Sequence, residues 1–552
     1  MIRVLIAALL FPPVVFADTP ARKAVESKQG MVVCVCPLAA QVGVDILKAG
    51  GNAVDAAVAV GFAQSVTWPE AGNIGGGGFM MVWPGTGQDA TCFDYREMAP
   101  ALATKDLFAD GKTDWTSPKS SGVPGTVRGL ALGHSRFGKL PWKQVVAPSL
   151  KLAEGFTVDG PLARALNHIL EDAKTTNAEF RRVYGKGKEK WAVGDTLKLP
   201  DLGKTLAGIA EQGPDYFYTG PQADQLEKEM VAGGGLIRKT DLSKYAAKER
   251  KVITGTYRGY EIIGAPPVSS GGTTLILALN MLEQFKLDSP RQSPQTIHLL
   301  AEVQRRAYVD RARHLGDPEF TSIPAHLYDK AYAKKLAAGI DLNHATKSET
   351  LAPELDIKEG TSTTHFSIID KDGMAVSNTY TLENSFGNRI VVLGAGYILN
   401  NEMTDFNPIP GVTTRTGKVG TEANQIVPGK RMLSSMCPIF IAKDGKLIGI
   451  TGSPGGRTII NTVMCITVNL IDYHMDAQAA VDEPRSHHQW FPDRLQIEKG
   501  KERPGLTEKL KELGHTVITN RQGDGHTIWI DPVTGVRYGA ADSRLNGQAN
   551  GY

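Results

Sequence analysis

The chain has 552 residues with 41% hydrophobic, 22% charged and 7% aromatic content, which excludes a disordered or collagen-like polymer and leaves ample material for a large core. Sixty-one Lys and Arg stand against 58 Asp and Glu, a net charge of +3. No whole-chain field therefore draws the protein to nucleic acid, and a small or neutral partner is expected. A length prior of roughly 150 residues per domain permits three or four domains or one large α/β body.

The opening segment MIRVLIAALLFPPVVFA places Arg3 before an apolar run and offers Val15-Phe16-Ala17 as a small-residue cleavage site. This pattern reads as a secretory signal peptide over 1–17, with a mature chain beginning near Asp18 and carried to the periplasm or the medium. No later stretch reaches ~18 uncharged apolar residues, so no membrane span is expected in the mature form. Five cysteines are too few, and odd in number, for a disulfide framework in an exported chain of this size. Cys34 and Cys36 in MVVCVC read as strand residues pointing to one face, buried small side chains rather than a metal site. Cys92, Cys437 and Cys465 also sit in apolar contexts.

Gln41 to Val66 reads as two helices separated at Gly50-Gly51, the second capped by Asn52 with Asp55 three residues on. Gly75 to Gly78 open a strand through Phe79 to Trp83. They do not open a helix with the Gly-Lys-Ser/Thr of a phosphate loop, so nucleotide binding is not expected. From Lys139 to Leu336 helical segments alternate with turns and look like scaffold, and the basic run from Arg181 to Lys190 reads as a solvated face. Asn343 to Ser362 is polar and without periodicity, an exposed linker. Beyond it, hairpins turn at Lys371-Asp372-Gly373, Lys443-Asp444-Gly445 and Asp531 to Gly535, and a helix from about Arg457 to Tyr473 is interleaved with them, as in a layered α+β sandwich.

The linker runs into Thr361-Ser362-Thr363-Thr364-His365-Phe366-Ser367, hydroxyls at the mouth of a strand. Such hydroxyls usually serve turns. A threonine becomes a nucleophile when its own α-amine acts as general base, which requires the preceding peptide bond to be cut. An α-amine near pKa ~8 suits that task. A second element, Thr451-Gly452-Ser453-Pro454-Gly455-Gly456, lies between a strand and a helix, where glycine amides at a helix start suit an oxyanion hole as well as an ordinary turn. His487-His488 diverge on any regular backbone and lack a nearby third ligand, so no metal pair is read there. His365 is expected to alternate to the strand face opposite the nucleophile and is not assigned as a base.

Six motifs in order, GGNAVDAAVAVG with NIGGGGFMMV, DYREMAP, TTHFS, YILNNEMTDF, LSSMCP and TGSPGG, resemble the gamma-glutamyltransferase family of N-terminal-nucleophile hydrolases across nearly the whole mature chain. The resemblance implies a four-layer αββα sandwich of α+β class. It also implies a precursor that cuts itself between Ser362 and Thr363 into an intertwined large subunit, 18–362, and a small subunit, 363–552. It implies Thr363 as nucleophile, Thr381 as the hydroxyl bonded to it, and Gly455 and Gly456 as oxyanion donors. Arg96 matches the clamp for the donor's α-carboxylate, assisted by Ser434 and Ser435, while Glu402 and Asp405 match acceptors for its α-ammonium. No cofactor and no metal are implied.

The implied reaction moves a γ-glutamyl group from glutathione-like donors to water, an amino acid or a peptide. A cephalosporin or glutaryl acylase on the same fold is the nearest alternative, and an uncut exported binding protein a more distant one. The acid pair favours the glutamyl donor, because a glutaryl group has no ammonium to satisfy it. Glu383 stands where many bacterial members have Asn, adding a third acid. Thr416, in a lid matching 407–426, stands where a Tyr gate is often found. Glu402 replaces the Gln of some bacterial members while keeping the acceptor role.

Overall fold

The structure is a computed structural model that describes residues 22–552 apart from 86, 110–112, 173–175, 353–361 and 408–420. The expected signal segment, most of the 343–362 linker's second half, and Thr416 with most of the lid lie outside the described residues.

Two seven-stranded sheets organise the chain. The first runs in the order Gln548–Gly551, Met31–Cys34, Ser362–Ile369, Ala375–Glu383, Gly77–Trp83, Thr91–Asp94 and Lys248–Lys251. The second runs Val25–Ser27, Arg537–Ala541, His526–Ile530, Lys446–Thr451, Ile439–Lys443, Tyr260–Gly264 and Ile253–Tyr257. All pairings within both are antiparallel. Strand alternation divides the core. Val32, Cys34, Met80, Val82, Phe366 and Ile368 pack outward under the helices Pro37–Lys48 and Ala53–Thr67. Met31, Val33, Phe79 and Met81 share the other core with the second sheet and the helices Gly271–Leu282, Pro294–His314 and Thr458–Ile471. The result is the expected four-layer αββα sandwich.

Local chemistry explains the elements. The Asn52 side chain accepts from the Val54 and Asp55 amides at 3.0 Å each, while Asp55 accepts from the Asn52 amide at 2.9 Å. This reciprocal cap starts a helix whose every residue is buried. The hairpins at 371–373, 443–445 and 531–535 form where read. The segment 248–264, read only as helices and turns, instead supplies three strands. Arg258 and Gly259, both at positive φ, make its tight turn, and the strands complete one edge of each sheet. The basic run 181–190 is solvated and answered by acids, with Arg182 bonded to Glu179 and Asp201, Lys186 to Asp195 and Lys190 to Glu171. All five cysteines are buried and free. Cys36 lies two residues beyond the strand, at the cap of the first helix, where its thiol meets Thr67 Oγ1 at 3.1 Å. No helix among the described residues is long and apolar enough to cross a membrane.

The glycine run has a positional reason. A Cβ on Gly76 would stand 2.0 Å from the Thr381 carbonyl oxygen, a backbone atom held in the neighbouring strand. Gly76→Ala is expected to lower the denaturant midpoint by an amount worth about 2 kcal/mol or more, with a circular-dichroism melt as the check. An unchanged midpoint would mean that this strand contact is slack.

Candidate active site

Thr363 stands at the mouth of the strand Ser362–Ile369. Ser362 pairs with Glu383 and Thr364 with Tyr380, so Thr363 stands opposite two residues, Thr381 and Leu382, of a bulge in the strand Ala375–Glu383. Its Oγ1 donates to Thr381 Oγ1 at 3.4 Å, and Thr381 Oγ1 in turn accepts from the Glu383 amide at 2.8 Å. His365 differs from expectation. Its Nδ1 meets Thr379 Oγ1 at 2.8 Å, and Thr379 and Thr381, two apart on one strand, share a face. His365 therefore lies on the nucleophile's side, deeper between the sheets. Burial holds it well below the ordinary histidine range, with His526 adding to the effect, and its Nε2 meets Ser367 Oγ at 3.0 Å. It is a neutral hydrogen-bonding core residue.

The second element forms as read. Gly455 and Gly456 sit at φ 130° and 58°, a region glycine tolerates and side chains resist. Their carbonyls accept from the Thr458 and Ile459 amides as the helix Thr458–Ile471 begins. Neither glycine amide donates to an acceptor among the described residues, so both are available at the positive end of a helix.

The charged residues converge more tightly than separate carboxylate and ammonium sites would require. Arg96, 1% exposed, reaches Glu402 Oε2 through Nη1 and Asp405 Oδ2 through Nη2, both at 2.5 Å, and Glu97 Oε2 at 3.4 Å. Its Nε also donates to the Met432 carbonyl at 3.2 Å. Three carboxylates thus share one guanidinium. Burial raises Glu402 well above the usual carboxylate range against the pull of Arg96, and burial pushes Glu97 up to about 7 despite Arg96. Glu383, at φ 78°, accepts from Asn401 Nδ2 through Oε2 and adds to the charge crowding Glu402.

Ser434 and Ser435 are both buried. Ser434 Oγ accepts from the Met436 amide at 3.1 Å, and Ser435 Oγ accepts from Arg311 Nη2 at 2.9 Å. One pocket brings together Arg96, Thr363, Thr381, Glu383, Glu402, Asp405, Ser434, Ser435 and Gly456, with Met436 and Ile459 completing its wall. Gly455 is adjacent to the wall but not part of it. Glu97 and Arg311 were not singled out from the sequence. Glu97 lies inside the DYREMAP motif and was legible there. Arg311 sits on a long helix, and nothing local marks it.

His487 Nδ1 meets Asn461, and His488 Nε2 lies 3.3 Å from Asp493. Among the described residues no group of three metal-ligating side chains occurs.

The gamma-glutamyltranspeptidase family model matches residues 39–552. The chain is 46% identical over 531 residues to the glutathione hydrolase proenzyme of Escherichia coli (strain K12), covering 94% of this chain and 91% of that one. The cephalosporin acylase structure from Bacillus halodurans superposes with a TM-score of 0.86 at 28% identity, covering 99% of both chains. The Helicobacter pylori gamma-glutamyltranspeptidase structure gives 0.54 at 38% identity, covering 60% of this chain and 95% of that one. The chain belongs to the gamma-glutamyltranspeptidase family.

Proposed function

We propose that this chain is an exported gamma-glutamyltransferase and glutathione hydrolase that cuts itself between Ser362 and Thr363 and works through a Thr363 acyl-enzyme. The observation that carries the reading is the single pocket in which the paired hydroxyls of Thr363 and Thr381, the Gly456 amide and the Arg96–Glu402–Asp405 group all meet. Scission frees the Thr363 α-amine. That amine takes the hydroxyl proton as Oγ1 attacks the donor's γ-carbonyl. The tetrahedral oxyanion is met by the glycine amides, each donor of this kind being worth about 3 kcal/mol in the transition state. Collapse expels the leaving amine with the proton from the α-ammonium. Water or an acceptor amine then attacks the ester by the same steps and restores Thr363.

Residues on both sides of the proposed cut support subunits 18–362 and 363–552 that stay together. Met31–Cys34 and Gly77–Trp83 from the first flank residues 364–369 and Ala375–Glu383 from the second in one sheet.

The charge pattern favours a γ-glutamyl over a glutaryl donor. Arg96 is already neutralised by Glu402 and Asp405. A zwitterionic donor exchanges these internal pairs for external ones, its carboxylate taking Arg96 and its ammonium taking the acids, without a change in net charge. A glutaryl donor would claim Arg96 and leave buried carboxylates unpaired.

Intact-mass analysis of the purified protein is expected to show two polypeptides, one starting near Asp18 and one at Thr363, and Thr363→Ala is expected to remain a single chain. Normal processing of that variant would place the nucleophile elsewhere. Release from a γ-glutamyl anilide is expected to exceed release from a glutaryl anilide, and the reverse order would favour the acylase reading.

The pH dependence has a definite sign. Glu97 near 7 and the raised Glu402 bind protons as pH falls, and a protonated carboxyl attracts an ammonium less. KM for the γ-glutamyl anilide is expected to rise as pH is lowered from about 8 to about 6, while KM for the glutaryl anilide is not expected to follow it. Parallel profiles would detach these acids from ammonium recognition.

A further inference from the structure

We propose that Asn400 is a positioning residue that fixes Glu402, so that preference for ammonium-bearing donors depends on one buried amide. The proposal rests on the γ-glutamyl reading above. Asn400 is fully buried and its side chain makes four hydrogen bonds. Nδ2 donates to the Gly75 and Gly122 carbonyls at 2.8 Å each. Oδ1 accepts from the Gly122 amide at 2.8 Å and from the Glu402 amide at 3.0 Å. An asparagine amide has two donor hydrogens and an oxygen with two lone pairs, so its capacity is fully used.

The geometry gives this hub a direction. Two of its anchors, Gly75 and Gly122, belong to the part of the chain before the proposed cut, and the group it aims is the amide of Glu402, first residue of the short turn Glu402–Asp405. That turn carries both carboxylates that hold Arg96 at 2.5 Å. Removing the amide leaves the Gly122 and Glu402 N–H groups buried without their acceptor and frees the turn to shift against Arg96.

A second buried asparagine serves the other half of the pocket. Asn73 accepts from the Gly76 amide and Thr126 Oγ1 at 2.9 and 2.7 Å, and donates to the Ala71 and Thr381 carbonyls at 2.8 and 2.9 Å. It bears on the hydroxyl partner of Thr363 and makes no bond to the acids, so it is a matched control. A similar loss of buried hydrogen bonds should there produce a different kinetic signature.

The test compares kcat/KM for a γ-glutamyl anilide with that for a glutaryl anilide in the self-processed protein, for wild type, Asn400→Ala, Asn400→Ser and Asn73→Ala. In Asn400→Ala the glutamyl to glutaryl ratio is expected to fall about fivefold or more, chiefly through a higher glutamyl KM. Asn400→Ser, which keeps one donor and one acceptor, is expected to lie between it and wild type. Asn73→Ala is expected to lower kcat for both substrates with the ratio kept. A ratio unchanged within about twofold in Asn400→Ala overturns the inference. So does failure of both Asn400 variants to fold, because the residue would then belong to the core alone. A wild-type protein without glutamyl preference overturns the underlying reading, and this inference with it.

Discussion

A single ladder fixes where the attacking hydroxyl can stand. Ser362–Ile369 is hydrogen-bonded to Met31–Cys34 on one side and to Ala375–Glu383 on the other, and both faces of the sheet are covered. Such a strand has one free direction, its end. Thr363 lies at that end, opposite the bulge in Ala375–Glu383, where the second sheet delivers Thr451 and the glycine turn before the helix Thr458–Ile471. Backbone pairing sets the Thr363 hydroxyl and the Gly455–Gly456 turn near one another before any side chain is specified, the kind of preorganisation that the proposed acyl transfer would need.

The second feature of the pocket is its excess of acid. Burying three carboxylates around one guanidinium is costly unless protons or a ligand's cation balance them. Burial raises both Glu402 and Glu97 against the pull of Arg96, which favours their neutral forms until a cation stands beside them. A pocket balanced in this way discriminates by charge as well as by shape. Glu383, held in a backbone conformation that ordinary side chains seldom adopt, extends that acid surface toward the nucleophile's partner Thr381.

Much of this was legible in order along the chain, because the signals are local. Asn52 and Asp55 announce a capped helix, the Gly75–Gly78 run announces close backbone approach, and three Asp-Gly or Pro-containing turns announce hairpins. The motif residues also gather, since Arg96, Glu402, Asp405, Ser434 and Ser435 line the pocket with Thr363. What stayed hidden depends on long-range contact. Nothing near Arg311 marks its reach to Ser435, and nothing in the 248–264 segment reveals that its strands close two different sheets. His365 was placed on the wrong face for a simpler reason. Residues two apart along a strand point the same way, and the His365 ring is sealed between the sheets by hydroxyl partners.

The interleaved strand order also makes assembly a matter of chain continuity. In the first sheet, segments from before residue 362 lie at the second, fifth, sixth and seventh positions, with later segments between and beside them. Pieces produced independently would have to find these alternating neighbours as a bimolecular search, whereas one unbroken chain delivers each strand to the next within a tethered volume. The topology thereby favours a polypeptide that is whole while the sheet forms.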